Sequence, residues 1–282
     1  MNFEVLKPGL FTGIQDFGRD GFARFGVPQS GAMDRYSAKI ANLLVGNSAY
    51  EAVLEMTMAG ATLKFNKPAR IAIAGLGAKI SLDKTNIDIN TAFEVGQGQI
   101  LKIGQITKGF RVYLAVFGGI QSEEKLGSRS MFHPITEKVK VEKGDQIEFT
   151  NKSSDLQRQN AGIKFDYGSM ISEHLEVFKG PEYEHFPQKI KGELIKKRFR
   201  ISKNNSRQAY QLEEKMPNDL DSMLTQPVLP GTVQLTPSGN LIVLMRDCQT
   251  TGGYPRVLQL SEKAINQLAQ KKQGDDISFN FN

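Results

Sequence analysis

The stretch RDCQTTGGYPR, residues 246 to 256, follows directly on a nearly continuous apolar run, Leu241 to Met245. Such a run reads as a strand buried on both faces. It ends in Asp247, Gln249, Thr250, Thr251, Gly252, Gly253 and Tyr254. A carboxylate, an amide and two hydroxyls on one rigid support, beside paired glycines that let backbone approach closely, are a way to build a site. The same residues also suit a plain turn, with Gly252, Gly253 and Pro255 bending the chain and Asp247 closing an Asx hydrogen bond. Chemistry alone leaves both readings open.

A second stretch, VPQSGAMDRYSAKIANLLVGN (residues 27 to 47), sets a loop holding Pro28, Ser30, Gly31, Met33 and Asp34 against a helical pattern. Asp34 reads first as the N-cap of that helix. Ser30 and Gly31 ahead of it can leave backbone N–H groups facing an anion, which a helix N-terminus favours. In GSRS, residues 127 to 130, Arg129 can hold a carboxylate or phosphate, or form an ordinary surface ion pair.

Other chemistry is absent from the pattern. GLGA, residues 75 to 78, lacks the spacing of a dinucleotide loop, and no GxxxxGK[ST] loop occurs to cradle the phosphates of ATP. His133, His174 and His185 are scattered without metal-ligand spacing. The single cysteine, Cys248, reads as a small buried residue, because the carboxylate next to it disfavours the thiolate. No metal site is expected.

The elements that must position these residues are mostly short strands. Thr62 to Phe65 and Gln99 to Ile103 alternate, while Ile71 to Ala74 and Arg111 to Phe117 are apolar, with glycines between the runs. Two helices stand out. Tyr36, Ile40, Leu43 and Leu44 fall on one stripe, between Asp34 and the C-cap residue Gly46; Ser261 caps a second helix carrying Ala264, Ile265, Leu268 and Ala269. The class is mainly β, barrel or sandwich, with a few packing helices.

A chain of 282 residues exceeds the comfortable size of one core, so two domains are expected. FEVLKPG at residue 3 is echoed by LEVFKGP at 175, and VEKGDQIEF at 141 by KKQGDDISFNF at 271, as in a diverged duplication. The polar stretch at residues 150 to 162 is the expected boundary, giving domains 1–152 and 163–282. The formal net charge is +6, yet basic and acidic residues alternate along the chain, and the cluster Lys196, Lys197, Arg198 and Arg200 reads as a solvated face. No nucleic-acid partner is expected. Without an 18-residue apolar run or an apolar leader in Met1 to Gly9, and with one cysteine, the expectation is a cytoplasmic chain with no membrane segment.

PGLFTGIQDFGRDGFARFGVPQSGAMD, IANLLVGN, YLAVFGG, LGSRS, LPGTVQLTPSG and DCQTTGGYP occur in one order along the chain. Together they resemble the family of the C subunit of bacterial 5-oxoprolinase, also called KipA or allophanate-hydrolase subunit 2, with biotin-dependent carboxyltransferase-like relatives. The resemblance implies two cyclophilin-like β-barrel domains. It also implies two partners, a KipI-like B subunit and a LamB/YcsF-like A subunit, acting together with this chain on 5-oxoproline. ATP would activate the lactam by phosphorylating its oxygen, at a main site shared with or carried by a partner.

The family's VPxSGAMD falls on Val27 to Asp34 and its DxQTTGGYP on Asp247 to Pro255. The resemblance thereby implies a cleft lined by Pro28, Ser30, Gly31, Met33, Asp34, Arg129, Gln249, Thr250, Thr251, Gly252, Gly253 and Tyr254. Asp247 would be the reacting carboxylate, and Glu55 in LEMTMAG a second that orients it. Where many relatives have SDRMGYRL this chain reads NSRQAYQL, keeping Arg207, Tyr210 and Leu212. GSRS runs on into MFHPIT where relatives often have a glycine-rich turn. Two other functions belong to the same resemblance: a KipA-like regulator that binds a KipI-like kinase inhibitor, and a carboxyltransferase module acting on a urea-like acceptor.

Overall fold

The computed structural model describes residues 1–150, 164–220 and 223–282; past Thr150, the expected boundary stretch lies outside them. The chain forms two compact units, Met1–Arg19 with Asp34–Tyr167, and Asp20–Met33 with Gly168–Asn282. The expected ranges 1–152 and 163–282 contain no such exchange. Residues 20–33 carry no strand pattern, so nothing in their periodicity marks which core they serve.

The first unit holds β1 (Asn2–Lys7), β2 (Phe11–Gln15), α1 (Arg35–Val45), β3 (Val53–Thr57), β4 (Thr62–Phe65), β5 (Ala69–Leu82), β6 (Thr85–Asn86), β7 (Ala92–Val95), β8 (Ile100–Val116), β9 (Ile120–Gln121) and β10 (Gln146–Phe149). Its sheet runs β2-β3-β8-β4-β1-β10-β9, with β5 paired to β6, β7 and β8. The two strands expected at Gln99 to Ile103 and Arg111 to Phe117 are one strand of 17 residues. Its second half pairs with β3, from Thr57↔Arg111 to Leu54↔Leu114, and its first with β4, from Thr62↔Lys102 to Lys64↔Ile100. The glycine-bearing middle of β8 therefore marks a change of partner and not a turn. Phe3, Phe65 and Phe149, from the neighbouring strands β1, β4 and β10, meet in the core with centroids 5.2 to 6.3 Å apart.

Helix α1 begins and ends where expected. The Asp34 carboxylate accepts from the Ser37 N–H at 3.0 Å, and Gly46 takes the left-handed C-cap conformation. Its buried face, however, is Ser37, Ala38, Ile40, Ala41, Asn42 and Val45, while Tyr36, Leu43 and Leu44 are only half-buried. Small residues face the sheet because they let the helix approach it closely.

The second unit contains α2 (Tyr167–Met170, whose first residue belongs to the first unit), β11 (His174–Lys179), α3 (Gln188–Lys196), β12 (Phe199–Asn205), β13 (Ala209–Leu212), β14 (Gln226–Pro227), β15 (Thr232–Leu235), β16 (Leu241–Leu244), β17 (Thr251–Gly252), β18 (Arg256–Leu260), α4 (Glu262–Ala269) and β19 (Asp276–Phe281). Seven of its strands close a barrel in the order β11-β18-β15-β16-β13-β12-β19. Leu175, Val177, Tyr210, Val233, Val243 and Phe279 fill its interior, and Met33, fully buried, joins that core from the 20–33 segment. Ser261 caps α4 as expected, accepting from the Ala264 N–H.

The echoed segments are real structural repeats of a turn. Asp145 accepts from the Glu142 N–H and Asp275 from the Lys272 N–H, both at 2.9 Å, around Gly144 and Gly274 with φ of 90° and 86°. Each turn leads into a closing strand, β10 or β19. The pairing then diverges, since β1 meets β10 antiparallel while β11 meets β19 parallel.

Candidate functional site

In the second unit, β16 delivers the chain into residues 246–255 as the sequence implies. The loop is held at two points, with the Val228 N–H donating to the Thr250 carbonyl at 3.1 Å and the Met223 N–H to the Gly253 carbonyl at 2.9 Å. Between these points β17 pairs with β14, Gln226 opposite Gly252. Gly252 packs closely on Gln234, so that a Cβ there would lie 2.5 Å from Gln234 Nε2 and push that side-chain amide aside. At the far end Arg256 donates from its backbone, Nε and Nη2 to Glu182, at 2.9, 2.9 and 2.6 Å. Those side-chain hydrogen bonds hold the Glu182 carboxyl below its ordinary range. Gln249, Thr251 and Tyr254 are exposed and Thr250, Gly252 and Gly253 half-buried, so the loop presents an amide, two hydroxyls and a phenol to solvent from a pinned frame.

Beneath the loop the polar groups are buried. Asp247 is 7% exposed and Ser30 0%. The Ser30 hydroxyl donates to Asp247 Oδ1 at 2.6 Å, and Arg207 Nε donates to Oδ2 at 2.7 Å. Arg207 Nη2 reaches Oδ1 at 3.1 Å and the Gly31 carbonyl at 2.6 Å. The structure thus brings together Ser30, Gly31 and Asp247, which the sequence singled out, around Arg207, to which the sequence assigned no role. The Ser30 N–H is donated to the Arg246 carbonyl at 2.9 Å and so is not open to an anion. Pro28 is half-buried on the same segment, and Met33 is in the barrel core. Cys248 packs with Val228 and Leu244, and burial, then the Asp247 charge, push its thiol up to about 12.

The remaining candidates belong to the first unit. Tyr113, fully buried on β8, donates its hydroxyl to Glu55 Oε2 at 2.9 Å and accepts the Asp34 N–H at 2.8 Å. Arg111 Nε lies 3.8 Å from Glu55 Oε1. Burial, followed by the charges of Glu55 and Asp34, raises the Tyr113 phenol well above its ordinary value. Glu55 and Asp34 are therefore tied into a buried network inside this unit, while the hydrogen bonds of Asp247 are made inside the other. Arg129 donates to the Ser122 carbonyl and pairs with Glu124 at 3.3 Å, on the wall of a cavity of about 540 Å³ shared with Gln121, Met131 and Lys138. Its backbone N–H donates to Asp16.

Residues 25–281 match the model of the carboxyltransferase domain, subdomains A and B. The chain belongs to this family. It is 32% identical to the 5-oxoprolinase C subunit of Escherichia coli (strain K12) over 98% of its own length and 90% of that protein. Among solved structures of this carboxyltransferase kind, that of Kluyveromyces lactis urea carboxylase superposes with a TM-score of 0.88 at 27% identity, covering 99% of this chain and 27% of that one. TTHA0988 superposes with a TM-score of 0.86 at 27% identity, and the chain spans 55% of its length. These likenesses agree with the mainly β class and the two barrel sheets of the fold. Among the described residues no helix is long and apolar enough to cross a membrane.

Proposed function

We propose that this chain is the C subunit of an ATP-dependent 5-oxoprolinase, acting with a KipI-like B subunit and a LamB/YcsF-like A subunit to open 5-oxo-L-proline to L-glutamate. The observation that carries the reading is the near full-length match to a protein named as the C subunit of 5-oxoprolinase. The second unit supplies chemistry suited to a lactam. Its accessible loop offers the Gln249 amide, which can both donate and accept, and the Thr250 and Thr251 hydroxyls; a ring N–H and C=O need one acceptor and at least one donor. Asp247, already accepting from Ser30 and Arg207, serves as a fixed anchor of this loop and not as a mobile base.

Among the described residues, those around the 249–254 loop do not fit a triphosphate. The sequence has no phosphate-cradling glycine loop, the 249–254 loop carries no cationic side chain, and Arg207 and Arg129 are engaged with Asp247 and Glu124. We therefore place the main ATP site away from this loop, shared with or carried by a partner. The test is 5-oxoproline-dependent phosphate release by the chain purified from its native host with whatever stays bound. Release that requires both 5-oxoproline and ATP supports the reading; a stable complex without such release overturns it.

One observation favours a second reading. The likeness to urea carboxylase, at a TM-score of 0.88, suits a carboxyl-transfer module. A biotinylated carrier protein in the purified complex, with no 5-oxoproline-dependent release, would select it.

A further inference from the structure

Ser30 and Gly31 take φ of 60° and 94°, two successive residues in the left-handed region. Gly31 adopts this freely. Ser30 does so under strain, which persists only where surrounding bonds over-determine it. Those bonds are present: the Ser30 N–H on Arg246, the Ser30 hydroxyl on Asp247, and Arg207 Nη2 on the next carbonyl, that of Gly31. One guanidinium therefore grips both this strained backbone and the carboxylate.

Arg207 is itself fixed. It lies in the turn between β12 and β13, and that turn continues the β13–β16 ladder, with Met245 N–H donating to the Gln208 carbonyl at 2.8 Å and Asp247 N–H to the Arg207 carbonyl at 2.9 Å. Its planar fork meets the carboxylate through Nε and Nη2, with Nη2 also on Gly31. Lysine, a single point charge, cannot span these acceptors in one plane.

We propose that Arg207 is a positioning residue for the 249–254 loop: it locks the Asp247 carboxylate and the Ser30–Gly31 backbone in one orientation, so that the loop leaving Asp247 starts from a fixed point. Arg207 acts on turnover through that geometry and does not touch substrate. The effect on turnover rests on the 5-oxoprolinase reading; the effect on the loop does not.

The test uses the chain in complex with its partners. Amide hydrogen exchange in residues 249–254 is compared between wild type and Arg207→Lys, together with kcat and KM for 5-oxoproline-dependent phosphate release. Exchange in the loop should rise tenfold or more while exchange in β16 and β18 stays within threefold. kcat should fall tenfold or more with KM changed less than threefold. Where Arg207→Lys does not fold, Arg207→Ala/Asp247→Asn removes both buried charges and is measured in its place against Asp247→Asn alone. Loop exchange equal to that of the reference overturns the proposal, as does a raised KM at constant kcat, which would make Arg207 a substrate contact. If the wild-type complex releases no phosphate, the oxoprolinase reading fails while the exchange comparison still decides the role of Arg207.

Discussion

Replacing Tyr113 by Phe removes one oxygen from the middle of the first unit and leaves the ring in place. The lost hydroxyl makes two buried hydrogen bonds, to the Glu55 carboxylate at 2.9 Å and from the Asp34 N–H at 2.8 Å. A bond to a charged group contributes about 1.5–3 kcal/mol and one between neutral groups about 0.5–1.5, so Tyr113→Phe should destabilise by about 2–4 kcal/mol. In a chain of this size that lowers Tm by roughly 5–15 °C. The urea midpoint should fall with the m-value unchanged, because no additional surface is exposed on unfolding. The pH dependence gives a second check. Tyr113 titrates above its ordinary value in the folded chain, so its contribution is complete below about pH 10 and is lost as pH rises through the folded pKa. The stability gap between wild type and Tyr113→Phe should therefore narrow above pH 10. A destabilisation below about 0.5 kcal/mol, or a gap that widens above pH 10, would refute the reasoning.

Two further outcomes concern buried and paired groups of the second unit. Cys248, 4% exposed with its thiol pushed up to about 12, should resist iodoacetamide at pH 8 in the native protein and be fully alkylated in denaturant; equal rates would contradict its packing. The Glu184 carboxyl, hydrogen-bonded by Lys179 and Lys191, is held at about 2, so its pairing persists above pH 4.5 and is lost as pH falls through about 2. Its carbon resonance should titrate near 2 in the native protein and move upward in Lys191→Met.

Much of the fold was legible because it is local. Asp34 and Gly46 cap α1 within a turn of the residues they serve, and the repeated glycine–aspartate turn at 144 and 274 is written in adjacent side chains. That the chain leaves β16 in a loop was legible for the same reason, since an apolar run ending in paired glycines and Pro255 must turn. What was hidden depends on partners far along the chain. Asp247 and Arg207 are 40 residues apart, and only the pairing of β13 with β16 makes them neighbours. Tyr113 sits within an unbroken apolar strand pattern that gives no sign of a polar bond to Glu55, 58 residues earlier. The single long β8 was hidden because its glycines read as punctuation, whereas they lie where one edge partner gives way to another. The stripe of α1 was displaced for a related reason: hydropathy favours leucine, but close helix-to-sheet contact selects Ala38 and Ala41.

The central claim is that this chain works as one component of an enzyme that opens 5-oxoproline. Phosphate release by the complex purified from its native host tests it most directly. The account predicts release that requires ATP and 5-oxoproline together, with glutamate formed in step. Phosphate release indifferent to 5-oxoproline, or a stable complex that forms no glutamate, would contradict it.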